Sequence, residues 1–133
     1  MKVIICGAGE VGKTIAEHLS KEDNDVTVID QSQENISEIN DTLDVNTIIG
    51  SGSQPSVLDK AGAKNAEMII AVTQSDEINM IACEVANSQF NVPLKVARVR
   101  DQDYLDPNYQ SLFSKNQISV DLIISPELEV AEA

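Results

Sequence analysis

Aromatic residues are scarce here: there is no Trp, and Phe and Tyr occur twice each in 133 residues. A core built on stacked rings is therefore excluded, and Ile, Val, Leu and Ala must fill the interior. Aliphatic, β-branched cores suit parallel strands buried between helices. Basic residues are few as well. Nine Lys and Arg against 22 Asp and Glu leave a formal charge of −13. Such a surface repels phosphate polymers and anionic lipid, which excludes nucleic acid and membrane surfaces as partners. Any phosphate must be held locally, by backbone amides and one or two arginines.

Cysteine is limited to Cys6 and Cys83, far apart and without a Cys-x-x-Cys pair. That argues against a disulfide framework or a zinc site, fits a reducing cytoplasm, and leaves two small buried hydrophobes. The single histidine, His18, has no Ser or Cys partner nearby and lies off the Val11, Ile15, Leu19 stripe, so an exposed helix position is expected. No apolar run reaches transmembrane length, so direct membrane insertion is not expected. Met1-Lys2-Val3-Ile4-Ile5 runs into a strand without a signal-peptide layout.

What is present is a regular alternation of short apolar runs and helical spacing. Residues 3–6 read as a strand, followed by a helix marked by Val11, Ile15 and Leu19. Residues 26–29 form a second strand ending at Asp30, and Ile36 and Ile39 give the inner face of a helix over 32–41. Residues 45–49 are a third strand, closed by Gly50-Ser51-Gly52-Ser53. Pro55 and Gly62 bracket a short helix, Pro inside its start and Gly past its end. Residues 68–72 are strand four. Ser75 caps a helix with Asp76 and Glu77 in its first turn and a buried stripe of Ile78, Ile81, Ala82 and Val85. Residues 94–99 are strand five, Asp106-Pro107 opens a helix carrying Tyr109, Leu112 and Phe113, and residues 120–124 are strand six.

Six strands alternating with helices predict a doubly wound, Rossmann-type α/β fold. Right-handed crossovers leave few topologies, and the parallel order 3-2-1-4-5-6 leads them. Residues 1–124 would form this domain. Ser125-Pro126-Glu127-Leu128-Glu129 reads as an N-cap, a Pro at the first helical position and an acidic turn, so 125–133 would open a connecting helix. The chain is then expected to be one module of something longer.

Between the first strand and the first helix stands Gly7-Ala8-Gly9-Glu10-Val11-Gly12. As a Gly-x-Gly-x-x-Gly loop, Gly7 permits the tight turn, Gly9 the approach of pyrophosphate to backbone, and Gly12 the packing of helix on strand. Asp30, eighteen positions past Gly12, suits ribose hydroxyls and repels a 2′-phosphate, favouring NAD(H) or an unphosphorylated adenosine ribose as in ATP. The same residues also satisfy Gly-x-x-x-x-Gly-Lys-Thr, with Lys13 and Thr14 placed for nucleotide hydrolysis. Helix geometry separates the two: Val11 already belongs to the apolar stripe, so the helix starts too early for a phosphate loop. A plain glycine turn without ligand is the third reading.

Ligands of open α/β sheets lie beyond the carboxyl ends of the strands. Ser51 there could bond an adenine edge while Ser53 caps the next helix, and Thr73 and Gln74 face the crevice beside strand one. Arg98 and Arg100 fall on one side of strand five by alternation; either could reach a phosphate or a neighbouring subunit, or pair with Asp101 or Asp103. No catalytic triad, metal cluster or substrate domain is visible, so catalysis is not expected; the cofactor half of a longer oxidoreductase is the alternative.

With these motifs placed, the chain resembles the N-terminal lobe of potassium-conductance regulator (RCK or KTN) domains over its full length. The resemblance rests on residues 7–12, Asp30, Ile49-Gly50-Ser51-Gly52-Ser53, the stretch from Ala71 to Met80 with Thr-x-x-Asp-Glu-x-Asn-Met, Val96-Ala97-Arg98-Val99-Arg100, and Pro126-Glu127-Leu128. It implies a cytoplasmic regulatory module rather than an enzyme. Such domains bind NAD(H), ATP or ADP, assemble into dimers and rings beneath a membrane-embedded potassium transporter or pore subunit, and change shape with the nucleotide. It further implies that Gly7 to Val11 cradle phosphates, Asp30 the ribose, Ser51, Thr73 and Gln74 the adenosine side, and Arg98 a phosphate. Members usually carry a C-terminal ligand lobe after this one.

Overall fold

Strict alternation along the first strand sets the architecture. In β1 (Lys2–Cys6), Val3 and Ile5 point to one face while Ile4 and Cys6 point to the other, and all four are fully buried. A strand apolar on both faces needs a cover on each side. The computed structural model, which describes residues 1–114, 117–124 and 130–132, supplies both covers. On the Val3/Ile5 face lie α1 (Glu10–Lys21) and α2 (Gln33–Thr42), contributing Ile15, Ala16, Ile36 and Ile39. On the Ile4/Cys6 face lie α3 (Pro55–Lys60) and α4 (Asp76–Phe90), contributing Val57, Leu58, Met80 and Cys83.

The remaining strands are β2 (Asp25–Asp30), β3 (Asn46–Ile49), β4 (Met68–Ala71), β5 (Leu94–Arg98), β6 (Leu122–Ile124) and β7 (Val130–Glu132). The first six run parallel in the order β3-β2-β1-β4-β5-β6, the expected doubly wound arrangement. The order reverses between β1 and β4, whose last paired residues are Cys6 and Ala71. β7 adds an antiparallel edge to β6 that periodicity did not reveal. The helix expected over 125–133 lies outside the described residues at 125–129, and at Val130–Glu132 the backbone is extended and pairs with β6, so no helix runs through there.

Three local expectations are corrected. The inner stripe of α4 is Asp76, Asn79, Met80, Cys83 and Ala86, with Ala82 beside it, whereas Ile81 is 46% exposed and Ile78 and Val85 are only partly covered. Small and polar residues face the sheet because α4 packs closely on β4 and β5, where Ala71 and Ala97 leave room for a helix backbone. The segment opening at Asp106-Pro107 is a 3₁₀ turn over Pro107–Phe113 rather than an α-helix, with Tyr109 at φ −118° interrupting it. Strand six starts at Leu122 because Asp121 is engaged beforehand. Its Oδ2 accepts from Lys95 N–H at 2.8 Å and lies 3.3 Å from the buried Lys95 ammonium. Lys95 Nζ also donates to the carbonyl of Val92 at 2.9 Å, so a buried cation has partners.

Candidate functional site

The glycine loop is shaped by contacts that no other residue type would allow. Gly7 has φ +116°, and a Cβ there would lie 2.9 Å from the backbone carbonyl of Val72. At Gly12 a Cβ would overlap the carbonyl oxygen of Gly7, so α1 can sit against the loop only without one. Gly9 is different: a Cβ would meet nothing within 4 Å. Its backbone, at φ −73° and ψ −166°, is open to any residue. The protein needs Gly7 and Gly12; the space in front of Gly9 serves something else.

That space is a cleft of about 460 Å³ at the reversal point of the sheet. Gly7, Gly9, Glu10 and Val11 line it from the loop, and Gly9, the N-cap of α1, supplies no side chain to cap the first amides. Uncapped amides at a helix start present donors and partial positive charge to an anion. Ala8 and Gly12 shape the loop without lining it. Ala8 is buried and its N–H donates to Asp30 Oδ2 at 2.6 Å.

Asp30 closes β2 and forms the opposite wall. Oδ1 accepts from Ser32 N–H at 2.7 Å, and its carbonyl accepts from Gly50 N–H at 3.0 Å. Two N–H bonds fix the carboxylate while leaving lone pairs for hydroxyl donors in the cleft. Gln31 and Asn35 line the same wall, and neither was singled out from sequence. Ser51 lines the cleft between Gly50 and Gly52, its hydroxyl 2.9 Å from that of Ser53. Ser53 therefore does not cap α3, whose N-cap is Gln54. Gly52 is required by the core: a Cβ would press into Cys6, whose thiol is pushed up to about 12 by burial and is inert at neutral pH.

The third wall is the turn from β4 into α4 together with the end of β5. Thr73, Gln74, Ser75 and Ile78 line it, with Arg98 beside them. Asn79, completely buried, ties this wall together. Its Nδ2 donates to the carbonyls of Thr73 (3.2 Å) and Arg98 (2.9 Å), and its Oδ1 accepts from Thr73 N–H (2.9 Å) and Thr73 Oγ1 (2.7 Å). The Thr73 hydroxyl is thus engaged within the wall. Asp76 does the same one turn earlier, accepting from Arg100 N–H at 3.0 Å and Asp101 N–H at 2.8 Å. Neither role was foreseen; both depend on β4 and β5 lying side by side.

The two arginines part company. Arg98 ends β5, reaches the cleft and makes no ion pair among the described residues. Strand geometry stops there, so the alternation expected to keep Arg100 alongside it fails. The Arg100 guanidinium instead donates to the Gln74 carbonyl at 2.5 Å, outside the cleft. Lys13 also points away, its ammonium 2.6 Å from Glu38 on α2. α1 begins at Glu10, and Thr14 Oγ1 bonds the Glu10 carbonyl, which is not phosphate-loop geometry. Among the described residues no group of three potential metal ligands is clustered, and no helix is long and apolar enough to cross a membrane.

The sequence matches the TrkA-N domain over residues 3–126. The Trk system potassium uptake protein TrkA of Azorhizobium caulinodans is 53% identical over 132 residues, covering 99% of this chain and 29% of that protein. The chain thus spans under a third of that relative's length. Among solved structures, the TrkA-N domain of the inner membrane protein YbaL from Escherichia coli superposes with a TM-score of 0.77 at 19% identity, covering 95% of this chain and 87% of that one. The GsuK channel bound to NAD superposes at 0.67 with 20% identity over 77% of this chain and 18% of that one. Identities this low establish the shared fold alone.

Proposed function

The chain belongs to the TrkA-N domain family, and from that premise we propose that it is a nucleotide-binding regulatory module of a potassium uptake system. The observation that carries the reading is Gly9, a glycine with no neighbour to accommodate, facing a cleft between uncapped helix amides and Arg98. That is the space a pyrophosphate takes at the start of the first helix of a doubly wound sheet. The ligand is NAD(H), with ATP or ADP able to use the same site, since all share the adenosine diphosphate part. The NAD carried by the GsuK channel supports this choice.

In this reading Gly7, Gly9, Glu10 and Val11 hold the phosphates, Asp30 the ribose, Ser51 and the Thr73-Gln74 turn the adenosine side, and Arg98 a phosphate. Ala8 and Gly12 act by shaping the loop. The cleft offers donors and acceptors for binding, and in this reading its output is conformational. Residues 1–124 form the nucleotide unit, with β7 as an added edge of the same sheet. Ligand contact with the Thr73–Ser75 turn and Arg98 would be passed to α4 through Asn79, and so to a membrane-embedded potassium transporter subunit. The module would work in the cytoplasm at the inner face of the membrane, as a homodimer or larger ring.

Calorimetric titration of the chain with NADH, ATP and ADP is the test, and saturable binding is expected. Asp30→Ala should weaken binding by at least about tenfold, having lost both a ribose acceptor and the anchor of Ala8. Lys13→Ala should change it less than about twofold. No binding by a protein with intact circular dichroism would remove the proposal. Magnesium-dependent hydrolysis abolished by Lys13→Ala would replace it with the hydrolase reading.

A further inference from the structure

The third wall of the cleft has an outer side as well as an inner one. Gln74 and Ser75 line the cleft, and the chain leaving β5 grips the same turn from outside. The Arg100 guanidinium donates to the Gln74 carbonyl at 2.5 Å. Asp76, only 7% exposed, accepts from the Arg100 and Asp101 N–H groups at 3.0 Å and 2.8 Å. Glu77 Oε2 accepts from the Tyr104 hydroxyl at 2.7 Å, and its Oε1 accepts from Ser75 Oγ at 3.4 Å. Each of these contacts lands on the turn into α4 or on its first two residues.

Further along, the same chain has little else to hold it. Across residues 101–114 Phe113 is the one buried residue, and Leu105 and Leu112 pack only partly on the core. The near end supports itself: Tyr104 N–H donates to the Asp101 carbonyl at 3.1 Å, and Leu105 N–H to that of Gln102 at 3.2 Å. The bond to Glu77 pushes the Tyr104 phenol up to about 12, and the same bond holds the Glu77 carboxyl below the usual carboxylate range. At neutral pH the phenol is therefore the donor and the carboxylate the acceptor. This contact is exposed to solvent, where hydrogen bonds open more readily than in a core.

We propose that residues 101–113 form a strap coupled to the cleft, with Tyr104 as its positioning residue: a ligand seated against the Thr73–Ser75 turn tightens the Glu77–Tyr104 latch, and loss of the ligand loosens it. The inference rests on the nucleotide-binding reading and deepens it by naming the element that carries occupancy to the surface. A ligand that fixes the turn also fixes the acceptor beside it, so closing the strap then costs less ordering. Linkage is reciprocal. A partner that holds the strap closed raises nucleotide affinity by the factor by which nucleotide favours closure.

Hydrogen exchange on the intact chain tests the coupling, with NADH and ATP as probes in parallel. Saturating nucleotide should slow the Asp101, Tyr104 and Leu105 amides at least about threefold. Tyr104→Phe should speed these amides without ligand, remove most of the slowing by nucleotide, and weaken nucleotide roughly twofold to fivefold by calorimetry. The amides of β1, β4 and β5 should exchange as in the parent, as an intact sheet requires. Glu77→Ala removes the acceptor instead of the donor, and in that background Tyr104→Phe should have no further effect. Tyr109→Phe, on the exposed side of the strap, should change neither exchange nor affinity. Nucleotide bound by the parent with these amides unchanged, or a Tyr104→Phe effect that persists in full in the Glu77→Ala background, overturns the coupling. Absence of binding by both nucleotides, with the fold retained, overturns instead the nucleotide-binding reading beneath it.

Discussion

Gly9 and Gly12 are two of the three glycines in one motif, yet substitution separates their duties. Adding a methyl at Gly12 drives it into the Gly7 carbonyl, which sits on the backbone and cannot yield. Gly12→Ala should therefore cost about 2–4 kcal/mol, as overpacking of a rigid contact does, read as a lowered urea midpoint. Gly9→Ala meets open space and a backbone that alanine adopts freely, so its stability should stay within about 1 kcal/mol of the parent. It should nevertheless lower nucleotide affinity at least about tenfold, because the new methyl occupies the cleft. If Gly9→Ala bound nucleotide as well as the parent, the phosphates would not lie over this loop. Asp30 shows the same layering at a single side chain. It organises the loop through Ala8 and keeps lone pairs for a ligand, so its structural and binding roles cannot be removed separately by truncation.

At the scale of elements, the sheet and the glycine loop were legible because their signals are local. Alternation marks strands buried on both faces, and a strand, three spaced glycines and a helical stripe fall within eighteen residues of one another. The inner face of α4 was not legible in that way. Ile78, Ile81 and Val85 have helical spacing and greater hydrophobicity than Asn79, Met80 and Cys83, yet the latter set faces the sheet. The choice was made by fit beyond the helix: Asn79 makes four hydrogen bonds, three to Thr73 after β4 and one to the Arg98 carbonyl at the end of β5. Arg98 and Arg100 failed to stay together for a related reason, since the point at which a strand stops is set by its neighbours. Asn79→Leu keeps the branched shape and favours the helix, but strands the part-buried amide and carbonyl of Thr73. It should cost about 2–4 kcal/mol in urea unfolding, and loss of less than about 0.5 kcal/mol would mean that the third wall of the cleft does not depend on this residue.

Over the whole molecule, 22 acidic side chains repel one another across a small domain, and the folded state bears that repulsion more than the extended chain does. Two measurable consequences follow from the same charge. Raising salt should stabilise the protein without ligand, since exposed charges are screened beyond about 8 Å at physiological ionic strength. A bound nucleotide adds negative charge, so its stabilisation must come from local contacts at the loop, Asp30 and Arg98 rather than from the overall field. Ligand at about a hundred times its dissociation constant adds about 2.7 kcal/mol to the folded state, which for a domain of this size raises the melting temperature by several degrees. Scanning calorimetry should show that rise with NADH in the parent protein and a much smaller one in Asp30→Ala at the same concentration. In the parent the increment should persist at high salt, where the screened background no longer contributes. A rise that vanished with salt would locate the ligand on the charged surface instead of in the cleft between β1 and β4.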